Sequence, residues 1–419
     1  MEIIAGSTGL SYRCLPMRTG YAGALLLWAA LFTSRGLFAQ RAESTLPAAA
    51  RADDARVALR PVDLRYVQPL LPLLLPTTAS VKALYVNAWA FSSPKLWQLV
   101  RLADQTEVNA FVVDVKDDTG CLLYQSDVLV AQEIGANRCA RTRDARARID
   151  TLLAHGIYPI ARIVVAKDPL LAEHKASWSV HLANGDLWRD RIGSAWVDAY
   201  NDSVWVYAAN LAREALGMGF VEVQFDYVRF PDEPRARLAN AIFPARRAGV
   251  TPRQAVHSHI QLMKSLVAPL GAPITFDIFG LTASATDDMG IGQVWEDFSS
   301  VADVVLPMVY PSHYGRGAYG FAWPNGQPYK IVRRALEEAL GRSRGPEAAE
   351  IRPYLQAFTL GRRLPRYGSF EIREEIRATE EVGITSWVLW NPRSVYQRES
   401  LRPYRTPSDI TREMTTGTE

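Results

Sequence analysis

Residues Gly219–Pro231 read GFVEVQFDYVRFP, an apolar strand that ends in charge and aromatic rings. Side chains alternate along a strand, so Val221, Val223 and Phe225 point one way and Glu222, Gln224 and Asp226 the other. Three polar groups on one face are costly in an ordinary core. They fit a strand whose polar face looks into a barrel lumen or the floor of a site, with Asp226 at its mouth. A salt-bridged strand end, Asp226 with Arg229, is the competing reading.

Working outward, β-rich runs alternate with helical spacing. Strands are predicted at 81–89, 109–117, 158–168, 220–230, 273–279, 302–310, 351–360 and 384–391. Helices are predicted at 94–104, 144–155, 202–216, 251–268, 291–300, 328–340 and 369–383, with Asp202 a candidate N-cap and Thr251-Pro252 a cap and first turn. Strict alternation favours parallel crossovers. Eight such units close into a (β/α)8 TIM-type barrel, the expected α/β fold over residues 81–394. A doubly wound open sheet is the rival, but the first strand–helix turn lacks a Gly-rich phosphate fingerprint.

The chain has 419 residues, 48% of them hydrophobic and 22% charged, which suits a large core. A net charge of +3 without a concentrated basic stripe gives no reason to invoke nucleic acid. Several of the 11 Trp and 17 Tyr residues fall just after predicted strands, where flat rings can pack a core or stack on sugars.

At the N-terminus Arg18 precedes the 12-residue apolar run Tyr21–Phe32, and Leu37-Phe38-Ala39 offers a cleavage site. Those are the parts of a secretory signal over residues 1–39, with Met17 an alternative start. The run is short for a membrane span, so membrane contact is expected only if it stays uncleaved. Residues 40–80 read as a Pro/Ala-rich linker and 395–419 as a C-terminal tail. Export, to periplasm or medium, leaves Cys121 and Cys139, expected either as a local disulfide or as two buried thiols.

Active sites of such barrels lie at the C-terminal ends of the strands. Strand one brings Asn87 and Trp89; strand two Asp114, Lys116, Asp117 and Asp118; strand three Lys167 and Asp168. Strand four brings Asp226, Tyr227 and Arg229, and strand five Asp277. Strand six brings Tyr310, His313 and Tyr314, strand seven Gln356 and Thr359, and strand eight Trp387, Trp390 and Asn391. Carboxyls recur among aromatics, the constellation that glycoside cleavage uses: one protonated, one ionised, across the scissile bond. Arg229 or Lys116 is expected to hold one carboxylate ionised. A cation among Asp114, Asp117, Asp118 and His313 is the alternative chemistry, but no metal motif appears and no metal or other cofactor is expected. Nor is there a GxSxG nucleophile elbow.

Four blocks, Val115–Asp117 (VKD), Phe225–Pro231 (FDYVRFP), Phe276–Gly280 (FDIFG) and Tyr310–Tyr314 (YPSHY), resemble a glycoside hydrolase family first catalogued as a domain of unknown function. The resemblance covers about Val81 to Arg393 and implies a (β/α)8 barrel in secreted or membrane-anchored bacterial proteins. More distantly, Glu222-x-Gln224-x-Asp226 is similar to the strand-four motif of family 18 chitinases, with Asp in place of their final catalytic Glu and Gln224 in place of an acid. It is also similar to amylase-like barrels, which implies Asp226 as nucleophile and Asp277 as acid/base.

The expected activity is therefore an exported glycosidase. Asp226 is the first catalytic carboxyl, Asp277 its likelier partner by adjacency, and Asp114 the alternative. Lys116, Arg229, Tyr310, His313 and Asn391 are expected to bind substrate, with Trp89, Trp390 and Tyr314 as stacking walls. A carbohydrate is the expected partner; oligomeric state is not legible. The alternative is a non-catalytic carbohydrate-binding barrel of the cell envelope. Carboxyls flanking an open cleft favour the first reading, and carboxyls all tied to Arg or Lys favour the second.

Overall fold

The computed structural model describes residues 80–404, apart from 346 and 363. The apolar run, its cleavage site, linker residues 40–79 and residues 405–419 lie outside them.

The strands are β1 (Lys82–Val86), β2 (Ala110–Lys116), β3 (Tyr158–Val164), β4 (Glu222–Asp226), β5 (Ile274–Phe279), β6 (Val304–Met308), β7 (Glu350–Ile351), β8 (Tyr354–Gln356) and β9 (Trp387–Trp390). Every pairing between them is parallel. β1 to β6 pair in chain order, β6 pairs with both β7 and β8, β8 pairs with β9, and β9 pairs with β1 through Lys82↔Trp387. β7 and β8 share one barrel position, so nine segments close an eight-stranded barrel. The seventh predicted strand is split at Arg352-Pro353, where Pro353 has no N–H to donate, although the Arg352 N–H still reaches the Val305 carbonyl and the Pro353 carbonyl accepts from Val388.

The outer helices are α1 (Lys95–Asp104), α2 (Ala145–Ala154), α3 (Asp202–Met218), α4 (Pro252–Val267), α5 (Trp295–Ser299), α6 (Pro328–Arg342) and α7 (Ser369–Glu381). Local chemistry sets their ends. Thr251 and Gln254 form a capping box on α4. Asn201, rather than Asp202, caps α3 by accepting from Ser203 N–H, and Gly219 stops it at φ 109°.

Three departures matter for the site. β1 ends at Val86; Asn87 caps the helical turn Ala88–Phe91, which carries Trp89 outward. β3 ends at Val164, and Asp168 caps the turn Pro169–His174 instead of pointing into the lumen. The register of β2 shifts between Asp114 and Lys116, a bulge that turns Lys116 away from the face Asp114 occupies. The long loop after β3 is packed, not open. Its Trp178, Trp188 and Trp196 are buried core residues, unavailable as sugar platforms. Residues 395–404 also pack on the barrel: Tyr396 Oη donates to the carbonyls of Tyr85 and Leu389, and Leu401 is buried.

Gly280 closes the FDIFG block for a steric reason. A Cβ there would sit 2.5 Å from the Met308 carbonyl oxygen, where the ends of β5 and β6 meet.

Candidate active site

The lumen is built in polar layers. Low in it, Arg352 Nη1 donates to Glu222 Oε1 at 2.7 Å. Above, Gln224 Nε2 donates to Asp277 Oδ2 at 3.0 Å and to Tyr354 Oη at 2.7 Å. At the top Asp226 accepts from Arg162 Nη2. The polar face of β4 therefore does look inward, and each of its three groups has a partner from another part of the barrel, as burial demands.

Arg162, from the middle of β3, organises the mouth. Its Nη1 donates to Asp114 Oδ1 at 2.5 Å, its Nη2 to Asp226, and its Nε lies 3.6 Å from Asp277 Oδ2. Asp114, Asp226 and Asp277 thus converge from β2, β4 and β5 on one guanidinium. Tyr85 Oη donates to the other oxygen of Asp114, and the Arg162 guanidinium lies 5.5 Å from the Tyr85 ring. Asp226 Oδ1 also accepts the N–H of Tyr227 at 2.6 Å. Tyr227 adopts φ 54°, a left-handed conformation uncommon outside glycine, and this places backbone strain directly beside Asp226.

The three carboxyls differ electrostatically. Burial pushes Asp114 up to about 6, against the pull of Arg162. Burial, then repulsion from Asp226, raises Asp277 well above the carboxylate range, with Arg162 and Gln224 opposing. Asp277 Oδ1 has no hydrogen-bond partner among the described residues. A carboxyl raised by burial beside one held on a guanidinium is an arrangement that acid/base chemistry uses.

Aromatic rings wall the other side. Trp390 and Tyr310 stack with centroids 5.6 Å apart at 23°, Tyr85 lies 5.9 Å from Trp390, and Phe358 stands edge-on to both Tyr310 and Trp390. His313 packs against Tyr310 at 5.2 Å.

Other predicted site residues lie elsewhere. Lys116 is buried behind the barrel wall, paired with Asp168 at 2.7 Å, donating to the Val164 carbonyl and lying over the Tyr207 ring. Arg229 is buried among Trp196, Tyr227 and Phe279 and donates to the Phe230 carbonyl and to Asp232. The guanidinium on Asp226 is that of Arg162, so the expected Asp226–Arg229 pair and the proposed charge-holding roles of Arg229 and Lys116 are replaced. Tyr314 is buried against Tyr319 and Gly280 rather than forming a wall. Asn391 donates to the Ala357 carbonyl and accepts from Arg393 N–H, tying two loops together. Trp89 is exposed, under the Arg141 guanidinium at 4.0 Å. Asp117 accepts from Thr119 and Cys121, and Asp118 pairs with Lys167, so neither joins Asp114. Cys121 and Cys139 are joined by a disulfide, with Cα atoms 5.6 Å apart.

Arg162, Tyr85, Gln224, Tyr354 and Phe358 carry the site without having been singled out as ligands of it. Arg162 was legible by the rule applied to β4: a charge in the middle of an apolar strand needs a partner in the lumen.

A closed parallel barrel with carboxyls and aromatic rings at the C-terminal mouth is the architecture of many glycosidases. The sequence signature of the family described as "Putative glycosyl hydrolase domain" matches residues 83–396, and the chain belongs to that family; it is a glycosidase-type domain. A hypothetical protein from Ruminiclostridium thermocellum ATCC 27405 is 31% identical over 50% of this chain and 98% of its own, with a TM-score of 0.42. The glycoside hydrolase domain of PgaB (BpsB) from Bordetella bronchiseptica is similar in fold, with a TM-score of 0.53 at 14% identity over 75% of this chain and 95% of its own. The glycoside hydrolase domain of PelA from Pseudomonas aeruginosa covers 76% of this chain and 96% of its own at 14% identity and a TM-score of 0.42. No curated protein matches the chain.

Proposed function

We propose that this protein is an exported glycoside hydrolase that cleaves an oligo- or polysaccharide by carboxyl acid/base chemistry. The observation that carries the reading is the convergence of Asp226 and Asp277 on Arg162, beside the Trp390–Tyr310 wall. Asp277, raised by burial and with one oxygen unpartnered, is the proton donor. Asp226, oriented by Arg162 and by the Tyr227 N–H, is the nucleophile or the base that activates water. Asp114, fixed by Tyr85 and Arg162, orients a sugar hydroxyl. The apolar run after Arg18 and the Cys121–Cys139 disulfide support export to an oxidising compartment.

One observation favours the second reading, a carbohydrate-binding barrel without turnover: Arg162 engages all three carboxyls at once. A screen of the secreted chain against bacterial and plant polysaccharides separates the two. Release of reducing ends, lost in both Asp226→Asn and Asp277→Asn while glycan binding persists, is the outcome expected of the hydrolase. Retained turnover in either variant removes that residue from the mechanism. Binding with no turnover by the unaltered chain selects the second reading.

A further inference from the structure

The rim of the barrel is divided. Each loop after β2, β3, β4 and β5 carries acids, for example Asp117, Asp168, Asp232 and Asp287. The loops after β6 (309–327), β8 (357–368) and β9 (391–397), and the turn after β1 (87–94), contain no Asp or Glu. They carry instead the exposed Arg316, Arg362, Arg366 and Arg393, none of which pairs with a carboxylate among the described residues. Elsewhere some exposed guanidiniums are matched, as in Arg253–Asp297 and Arg377–Glu374, while others, such as Arg101 and Arg235, also stand without a carboxylate among the described residues; what sets this arc apart is that its loops hold no acid at all.

These loops form one continuous surface. Asn325 Nδ2 donates to the Leu364 carbonyl at 3.1 Å, Asn391 Nδ2 to Ala357 at 2.6 Å, and Asn87 Nδ2 to Pro392 at 2.9 Å. Two largely exposed indoles mark its ends: Trp323 at 68% and Trp89 at 65%. Each has a guanidinium on it, Arg316 at 4.7 Å and Arg141 at 4.0 Å from the ring centroid, and the buried Arg141 Nε has no hydrogen-bond partner among the described residues. The Trp390–Tyr310 stack joins the last residue of β9 to the loop after β6. An indole face stacks on a sugar ring, while the N–H edges of the adjacent guanidinium can chelate an anionic group.

We infer that this half of the rim is a binding track for an anionic saccharide chain, its negative groups being carboxylate or phosphate. The inference rests on the glycosidase reading and adds the substrate class. Neutral glycans satisfy the indoles but leave the unpaired guanidiniums without counter-charge; an acidic polymer satisfies both.

The test is affinity electrophoresis of the full chain as the Asp226→Asn variant, so that no probe is degraded. Gels contain polygalacturonate, a poly(glycerol phosphate) teichoic acid, neutral mixed-linkage β-glucan or poly-dT. Retardation by one or both of the first two is expected, abolished near 0.5 M salt because exposed charges are screened, at about that strength, beyond roughly 4 Å. Which of the two retards identifies carboxylate or phosphate. Adding Arg362→Ala, Arg366→Ala and Arg393→Ala together weakens binding about tenfold, and Arg316→Ala with Trp323→Ala does so again. Equal retardation by β-glucan, equal binding of poly-dT, no retardation by either acidic polymer, or an unaffected triple variant each overturns the inference. Turnover of a neutral glycan by the unaltered chain, without acidic retardation, overturns the track and leaves the hydrolase standing. Acidic retardation without turnover of any glycan does the reverse.

Discussion

The two halves of the barrel mouth are built from the same strand–loop units yet hold opposite chemistry. On the side of β2 to β5, carboxyls are drawn inward and gathered on one guanidinium; on the side of β6 to β9 and β1, rings face the mouth and free guanidiniums sit on the rim. In the proposed mechanism the first half exchanges protons, and its groups are buried where electrostatic effects are large. The second is the proposed grip for a chain, and its loops contain no Asp or Glu. A hydrolase needs both, and this fold supplies them from opposite arcs of one ring.

The largest effect should come from the proton-exchanging arc. Asp226→Asn is expected to lower kcat roughly 10³-fold, within the range that a lost acid/base group costs. Unfolding in urea should be little changed, since Arg162 keeps Asp114 and Asp277. If kcat holds, the proposed division of labour between the arcs is wrong.

Arg162→Met removes the cation that three buried carboxyls share. Breaking a buried pair from one side costs about 3–5 kcal/mol, which urea unfolding will read, and activity should fall with it. A variant as stable as the parent would show that the carboxyls do not depend on Arg162.

The third expectation is a pH dependence. Asp114 rises from 3.8 to about 6 on folding, so between those values the native state holds a proton that the unfolded chain has released. Its contribution to stability is full below the unfolded value and is lost as pH rises through about 6. Asp114→Asn should therefore flatten the stability profile over that window, by about 2–3 kcal/mol if the shift is fully expressed. Denaturant melts at several pH values measure it; an unchanged slope assigns the window to another buried carboxyl, such as Asp198, which burial also raises to about 6.

The smallest effect belongs to the gripping arc. Trp390→Ala should raise KM by about fivefold with kcat nearly unchanged, since a stacked ring is worth around 1 kcal/mol. A fall in kcat at constant KM would move Trp390 into the chemistry and blur the contrast.

Much of this was legible without coordinates. The inward polar face of β4, the acids at the ends of β2 and β5 and the eight-fold alternation all follow from local periodicity. What local periodicity missed has local causes too. The bulge after Asp114 inverted the side-chain phase and sent Lys116 behind the wall. The cap at Asn87 turned Trp89 out of the strand direction. Arg229, two residues past the end of β4, was drawn into a cage of three rings. Trp178, Trp188 and Trp196 fall in the predicted loop after β3, yet they are buried in the core.

The sequence by itself determined that eight strands would close and that Asp114, Asp226 and Asp277 would arrive at the same end of the barrel, because parallel crossovers bring all strand C-termini to one face. Only the tertiary structure decided that Arg162 joins those carboxyls, and that Arg316, Arg362, Arg366 and Arg393 share a rim without carboxylates. These residues are scattered over more than 200 positions of chain. Side-chain alternation sets which face a residue takes, but which groups meet across the lumen depends on strand register and barrel closure, and those are properties of the assembled fold.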